Sequence, residues 1–238
     1  MDNTPDELML FAAGFGTRMQ PLTDHIPKPL IKVAGQTLLD RTLDLANEAG
    51  INHTVVNTHY RGGVIKEHLK ATSVSISHEK NILDTGGGLK NALGAFRGKA
   101  VFTSNSDAVW SGENPFSYLS NRWNDDCDAL LLCAPIDKVS GRKKPGDFSL
   151  SKTGAVKRSG NAVYLGVQII KLSALQDIND TVFSLNLVWD TLISRGKLKA
   201  VTYTGQWCDI GMPENITLGE RLLAVSYTHL TLPTKRIV

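Results

Sequence analysis

The residues best suited to chemistry in this chain begin at Ala12-Ala13-Gly14-Phe15-Gly16-Thr17-Arg18-Met19-Gln20-Pro21-Leu22-Thr23, followed closely by Pro27-Lys28-Pro29-Leu30. They come directly after an apolar run, 8–13, that reads as a buried strand. Gly14 and Gly16 let backbone N–H groups approach a polyphosphate, Thr17 adds a hydroxyl, and Arg18 can pair with phosphate oxygens through its planar fork. Lys28 stands between two prolines, which keep the flanking chain extended and aim a point charge from a stiff loop. Two commoner phosphate loops do not fit. A dinucleotide fingerprint needs a third glycine where Met19 stands, and the Gly-Lys-Ser/Thr ending of a Walker A loop is absent. Gly-x-Gly alone would be a tight turn; with Thr-Arg, Pro-Leu-Thr and Pro-Lys-Pro at this spacing it reads as a phosphate cradle.

Carboxylates at strand ends form the second group of candidates. Asn105-Ser106-Asp107 follows the apolar run 100–104, where an aspartate can hold a divalent cation; a capping or turn-forming aspartate is an equal reading. Asp209 lies just past the run 198–203, and Gly211 permits a turn that directs it inward, though a turn aspartate is the ordinary reading. Two carboxylates from distant positions suit magnesium, which takes one or two carboxylates plus phosphates and water. In Asp84-Thr85-Gly86-Gly87-Gly88 the glycines are expected to admit something flat or anionic close to the backbone, a flexible turn being the plainer alternative. Cys208 beside Asp209 has no partnered histidine, so packing is expected of it. The six histidines show no metal spacing; His59 and His78 near strand ends read as loop residues.

These groups need a scaffold, and the patterning supplies one. Strand-like runs at 8–13, 54–58, 74–77, 100–104, 129–133, 162–170 and 198–203 alternate with helical stretches at 38–49, 64–69, 88–93, 115–123 and 185–194. Gly50 and Gly196 are natural helix stops, and Pro115 suits a first helical turn. The alternation predicts an α/β fold: a Rossmann-like, mostly parallel sheet with helices on both faces. Segments 147–150 and 155–157, around a Ser151-Lys152-Thr153-Gly154 turn, read as a small antiparallel excursion. One domain over 1–224 is expected, with 225–238 a tail lacking helical period after 216–223 and read as disordered or non-native.

Composition narrows the function. A net charge of +3 over 238 residues, evenly spread, argues against a nucleic-acid partner, and Arg142-Lys143-Lys144 reads as a solvated loop. Cys127, Cys133 and Cys208 fit neither a disulfide framework nor a zinc site. No apolar stretch approaches a membrane span and the acidic start lacks a basic n-region, so a cytoplasmic protein is expected.

The motif from Ala12 to Gly35, with further matches as far as Asp209, resembles the sugar-1-phosphate nucleotidyltransferases, or nucleotide-sugar pyrophosphorylases. The resemblance implies that a sugar 1-phosphate attacks the α-phosphate of a nucleoside triphosphate, Mg2+ assists, and pyrophosphate leaves. It implies Arg18 and Lys28 as catalytic cations, Asp107 and Asp209 as magnesium ligands, and Asn105 as a nucleotide contact. Gly86, Gly87 and Gly88 would read the base edge, and Asp147 in Gly146-Asp147-Phe148 would face the sugar. These last two segments resemble the short uridylyl-transferring members that act on N-acetylmuramate 1-phosphate in cell-wall recycling, so UTP is the expected nucleotide. Guanylyl transfer to mannose 1-phosphate and thymidylyl transfer to glucose 1-phosphate are the alternatives within the family. Outside it stand a non-catalytic nucleotide-binding regulator, disfavoured because Arg18, Lys28 and both carboxylates are present, and a nicotinamide-dependent oxidoreductase, disfavoured by the missing third glycine.

Overall fold

The computed structural model describes residues 4–230, without the side chains of 226–230. An apolar first strand, β1 (Glu7–Phe11), leads into the glycine loop, where Thr17–Met19, Leu22–Asp24 and Lys28–Leu30 form single 3-10 turns. A short ladder of β2 (Lys32–Val33) and β3 (Gln36–Thr37) precedes α1 (Leu38–Glu48). The Thr37 hydroxyl caps α1 by accepting from the Asp40 N–H at 3.0 Å. Next come β4 (His53–Thr58), α2 (Gly62–Leu69), β5 (Ser75–His78), α3 (Asp84–Asn91) and β6 (Ala100–Asn105). The second half holds β7 (Ala108–Ser111), α4 (Pro115–Ser120), β8 (Ala129–Pro135), β9 (Val139–Ser140), β10 (Phe148–Leu150) and β11 (Val156–Arg158). It ends with β12 (Ala162–Lys171), α5 (Leu185–Ser194), β13 (Leu198–Thr202), β14 (Gln206–Asp209) and α6 (Asn215–Leu230).

Strands β5, β4, β1 and β6 pair in parallel in that order; β12 runs antiparallel between β6 and β8, and β13 pairs in parallel with β8. The expected antiparallel excursion is the β10–β11 hairpin, joined to β12 through Phe148 opposite Ala162. Period-two alternation along β1 divides the core between the faces of the sheet. Leu8 and Leu10 pack with Leu39, Ile65 and Phe116 of α1, α2 and α4; Met9 packs with Leu89 of α3 and Val188 of α5. Helices therefore cover both faces. From β1 the chain winds outward to β4 and β5, and α3 carries it back past β1 to β6. The carboxyl ends of β1 and β6 thus flank the reversal of strand order, where open α/β sheets bind ligands.

Three local features differ from expectation. Helix α3 starts at Asp84, so the three glycines lie inside it. A separate three-stranded sheet, β7-β14-β9, forms beyond β6, and Asp209 ends β14 rather than following the 198–202 strand directly. Finally α6 continues to Leu230, past the 216–223 period; residues 231–238 of the expected tail lie outside the described residues. Ile216, Leu222 and Leu223 dock on Val109 and Cys208 of the small sheet and on Ile210 just past it. Once that face is anchored, adding further turns is easy because helix propagation avoids the nucleation penalty.

Candidate active site

The small sheet brings the two distant carboxylates together. Asp107 lies just past β6 and directly before β7, whose Ala108 pairs opposite Asp209, and the Ile210 N–H donates to the Asp107 carbonyl at 2.9 Å. Lys28 Nζ reaches Asp107 Oδ2 at 2.7 Å, with only 12% of its side chain exposed. Gly16, in the left-handed region at φ 64°, explains how the loop reaches inward: a Cβ there would stand 3.0 Å from both Lys28 Cβ and Thr23 Cγ2. Gly211 does the same for the other carboxylate. Its missing Cβ would lie 2.8 Å from Asp209 Oδ2 and 3.1 Å from Arg18 Nη1, so the bare backbone lets both side chains occupy one corner. Burial and the charge of Asp107 push the Asp209 carboxyl above its usual pKa, while Lys28, Arg18 and Arg142 pull it down.

A cleft of two lobes opens on this junction. One lobe, about 460 Å³, runs along Ala12, Ala13, Gly14 and Gly16 to Lys28 and Asp107. The other, about 310 Å³, is walled by Arg18, Arg142, Asp147, Tyr164, Trp189 and Asp209. Asp84, Thr85, Asn105 and Asp107 face both lobes. Thr17 lies outside either lining. A buried pair supports the first lobe: Asn57 accepts the Ala12 N–H at Oδ1, 2.8 Å, and donates to Glu79 Oε1 at 2.7 Å, while Glu79 Oε2 accepts the Leu83 N–H at 3.0 Å. The amide of Asn57 directly after Val55 and Val56, one residue from the end of β4, is the signal that could have revealed this pair.

Two segments pack more closely than a flexible turn and a solvated loop would. Gly86, Gly87 and Gly88 are buried and their Cα hydrogens face protein: Cβ atoms there would stand 2.3 Å from the Phe183 ring, 2.3 Å from the Thr181 carbonyl and 2.7 Å from Glu79 Oε1. Asp84, at φ 61°, and Thr85 line both lobes just before them. Arg142 is no solvated residue, since its Nη2 donates to Asp147 Oδ1 at 2.7 Å. Asp147 does line the second lobe, and its other oxygen accepts the Tyr164 N–H at 2.9 Å. Cys208 is buried, with burial and Asp209 pushing its thiol up to about 11, as packing requires. His59 bonds the Glu79 carbonyl and His78 the Thr58 hydroxyl; neither faces the cleft. Among the described residues no helix is long and apolar enough to cross a membrane.

Two lobes meeting at a carboxylate pair suit the transfer of a group between substrates held side by side, and the protein is a nucleotidyltransferase. Residues 8–147 match the MobA-like NTP transferase domain, and the chain belongs to that family. It is 35% identical to the N-acetylmuramate alpha-1-phosphate uridylyltransferase of Caulobacter vibrioides, over 94% of this chain and 99% of that one. It is 28% identical to a probable mannose-1-phosphate guanylyltransferase of rice, over 90% of this chain but only 63% of that longer one. A UDP-glucose pyrophosphorylase solved with UDP-glucose shares the fold, with a TM-score of 0.76 over 93% of this chain and 99% of that one, at 14% identity.

Proposed function

We propose that the protein transfers a uridylyl group from UTP to a sugar 1-phosphate, in the first instance N-acetylmuramate 1-phosphate, releasing pyrophosphate and a UDP-sugar. The observation that carries the reading is the two-lobed cleft joined at Asp107, with Lys28 and Asp209 at the junction. The base and sugar rest on 35% identity to the Caulobacter enzyme across nearly all of both chains. On this reading the enzyme works in the cytoplasm, in peptidoglycan recycling, with magnesium.

An oxygen of the sugar phosphate attacks the α-phosphorus of UTP as the bond to the pyrophosphate oxygen breaks. No covalent enzyme intermediate is needed, so catalysis rests on alignment and charge neutralisation. Backbone groups of Gly14 and Gly16 cradle the triphosphate, Asn105 contacts the nucleotide, and Lys28 and Arg18 offset charge where the bonds change. The Asn57–Glu79 pair holds the end of β1 still. Asp107 and Asp209 would hold magnesium. Their donor set fits: hard oxygens in mutual repulsion, with the Asp209 carboxyl raised by burial and by its neighbour. Bound there, the ion would neutralise phosphate charge and template the two substrates.

A pyrophosphate-release assay across UTP, dTTP and GTP, each with several sugar 1-phosphates, tests this. UTP should lead. Preferred turnover of GTP with mannose 1-phosphate, the reading that the rice relative favours, would overturn the choice of base and sugar.

A further inference from the structure

The second lobe carries three cations, Arg18, Arg142 and Arg158, which are not equally free to meet a substrate. Arg158 is committed within the protein. Its Nε donates to Asp190 at 2.7 Å, Nη1 and Nη2 donate to Asn186 oxygens at 2.9 Å each, and the guanidinium lies over the Phe148 ring. Arg142 is anchored differently. Its Nη2 donates to Asp147 Oδ1 at 2.7 Å and to the Pro145 carbonyl at 3.0 Å, whereas its Nε is buried without a hydrogen-bond partner among the described residues. The loop that carries it is pressed against the carboxylate junction: a Cβ at Gly141, φ 78°, would stand 2.3 Å from the Asp209 carbonyl oxygen.

We infer that Arg142 contacts the substrate, its guanidinium holding the phosphate of the sugar 1-phosphate, and that Asp147 is a positioning residue acting through it. The inference rests on the sugar 1-phosphate reading above but on no particular base or sugar. With Nη2 tethered to Asp147 and Pro145, the other terminal nitrogen keeps its N–H groups for an arriving anion, and a charge-assisted bond to a phosphate oxygen is a strong one. Asp147 is pinned on every side. Beyond Arg142 and the Tyr164 N–H, its own N–H donates to the Ala162 carbonyl at 2.7 Å, and its carbonyl accepts the Ser159 N–H at 3.0 Å. Such fixing suits a group that sets another side chain's orientation.

Arg142→Gln and Arg142→Lys are assayed with the sugar 1-phosphate varied at saturating UTP, then with UTP varied. Loss of a charge-assisted contact should raise KM for the sugar phosphate about 10- to 100-fold in Arg142→Gln and less in Arg142→Lys. The UTP KM and the melting temperature should stay near the parent. The loss should be alike with N-acetylmuramate 1-phosphate and N-acetylglucosamine 1-phosphate, because both carry the phosphate. A loss confined to the acid-bearing sugar would overturn the assignment, as would an unchanged sugar-phosphate KM. Asp147→Asn in the Arg142→Gln background should add little; full additivity would refute the positioning role. Should Arg142→Gln fail to fold, Arg142→Lys decides through the same KM split. A parent enzyme that turns over no sugar 1-phosphate would instead remove the functional reading itself.

Discussion

Replacing Gly87 by alanine separates two explanations of the glycine run in α3. If the missing side chain admits a base, Gly87→Ala should damage nucleotide binding and leave the fold alone. The structure argues otherwise. An alanine Cβ would lie 2.3 Å from the Thr181 carbonyl oxygen, about 1 Å inside an ordinary carbon–oxygen contact. The clash is with backbone, so segment 181–183 must retreat, straining the Gly87 N–H bond to the Phe183 carbonyl, now 3.0 Å. Overpacking of this kind costs roughly 1–3 kcal/mol. A weakened hydrogen bond adds to that, and the better helix propensity of alanine offsets up to about 1 kcal/mol. A net loss of about 1–3 kcal/mol lowers the melting temperature of a chain this size by roughly 3–10 °C. Calorimetry beside UTP kinetics measures both effects. Gly63→Ala in α2 is the control, since nothing lies within 4 Å of its added Cβ and the protein should melt no lower. An unchanged melting temperature in Gly87→Ala with a UTP KM raised tens of fold would refute the packing argument.

Asp209→Asn should lower turnover strongly yet melt higher than the parent at pH 7. Its carboxyl is raised in the fold, so the parent is favoured while Asp209 stays protonated and loses that advantage as pH rises through the folded pKa; the gain of the variant should fade near pH 4, read by calorimetry at both pH values. Lys28→Ala should lower kcat/KM for UTP about 100- to 1000-fold, and the acidic limb of the pH–rate profile should move to higher pH because a cation that favours ionised Asp209 is gone. An alanine variant within twofold of the parent would remove Lys28 from the site. Asp107→Asn and Asp209→Asn combined should lose much less than the product of the single losses, with added magnesium partly restoring each single variant in the same assay; full activity in a strong chelator would disprove the metal site.

The main sheet was legible because its strands are apolar runs: 8–13, 54–58 and 100–104 appear as β1, β4 and β6 within a residue or two. Candidates at the carboxyl ends of β1 and β6 came with them, which is why Gly14, Gly16, Lys28, Asn105 and Asp107 all border the cleft. What escaped depends on contacts between segments far apart in the chain. Strands β7, β9 and β14 are two to four residues long, too short for a period to declare itself, so nothing in the sequence marks Asp209 as the end of a strand of its own. The glycines read as a loop because helix propensity penalises them, yet close packing on Thr181 and Phe183 outweighs propensity. Arg142 was lost in a charge run because its partner Asp147 lies five residues on across an irregular loop, a spacing that matches no helix or strand period.

The division of the cleft follows the division of the chain. Apart from Val182, the lining of the first lobe comes from 11–107, inside the segment that matches the family domain. The second lobe draws Arg158, Tyr164, Trp189, Trp207 and Asp209 from beyond it. On the proposed reading the phosphate cradle stands on β1 and β6 and most of the acceptor wall on residues after 140, while β12 paired with β6 and segment 181–183 packed on α3 join the two parts beneath the cleft. Asp209 ties them at the cleft itself. It comes from the second half, yet its strand is zipped to β7, so the acceptor wall cannot shift without moving a carboxylate at the reaction centre. On the proposed reading, changes in acceptor choice are therefore expected in side chains standing on the wall, Arg142 and Trp189 among them, rather than in the strands beneath.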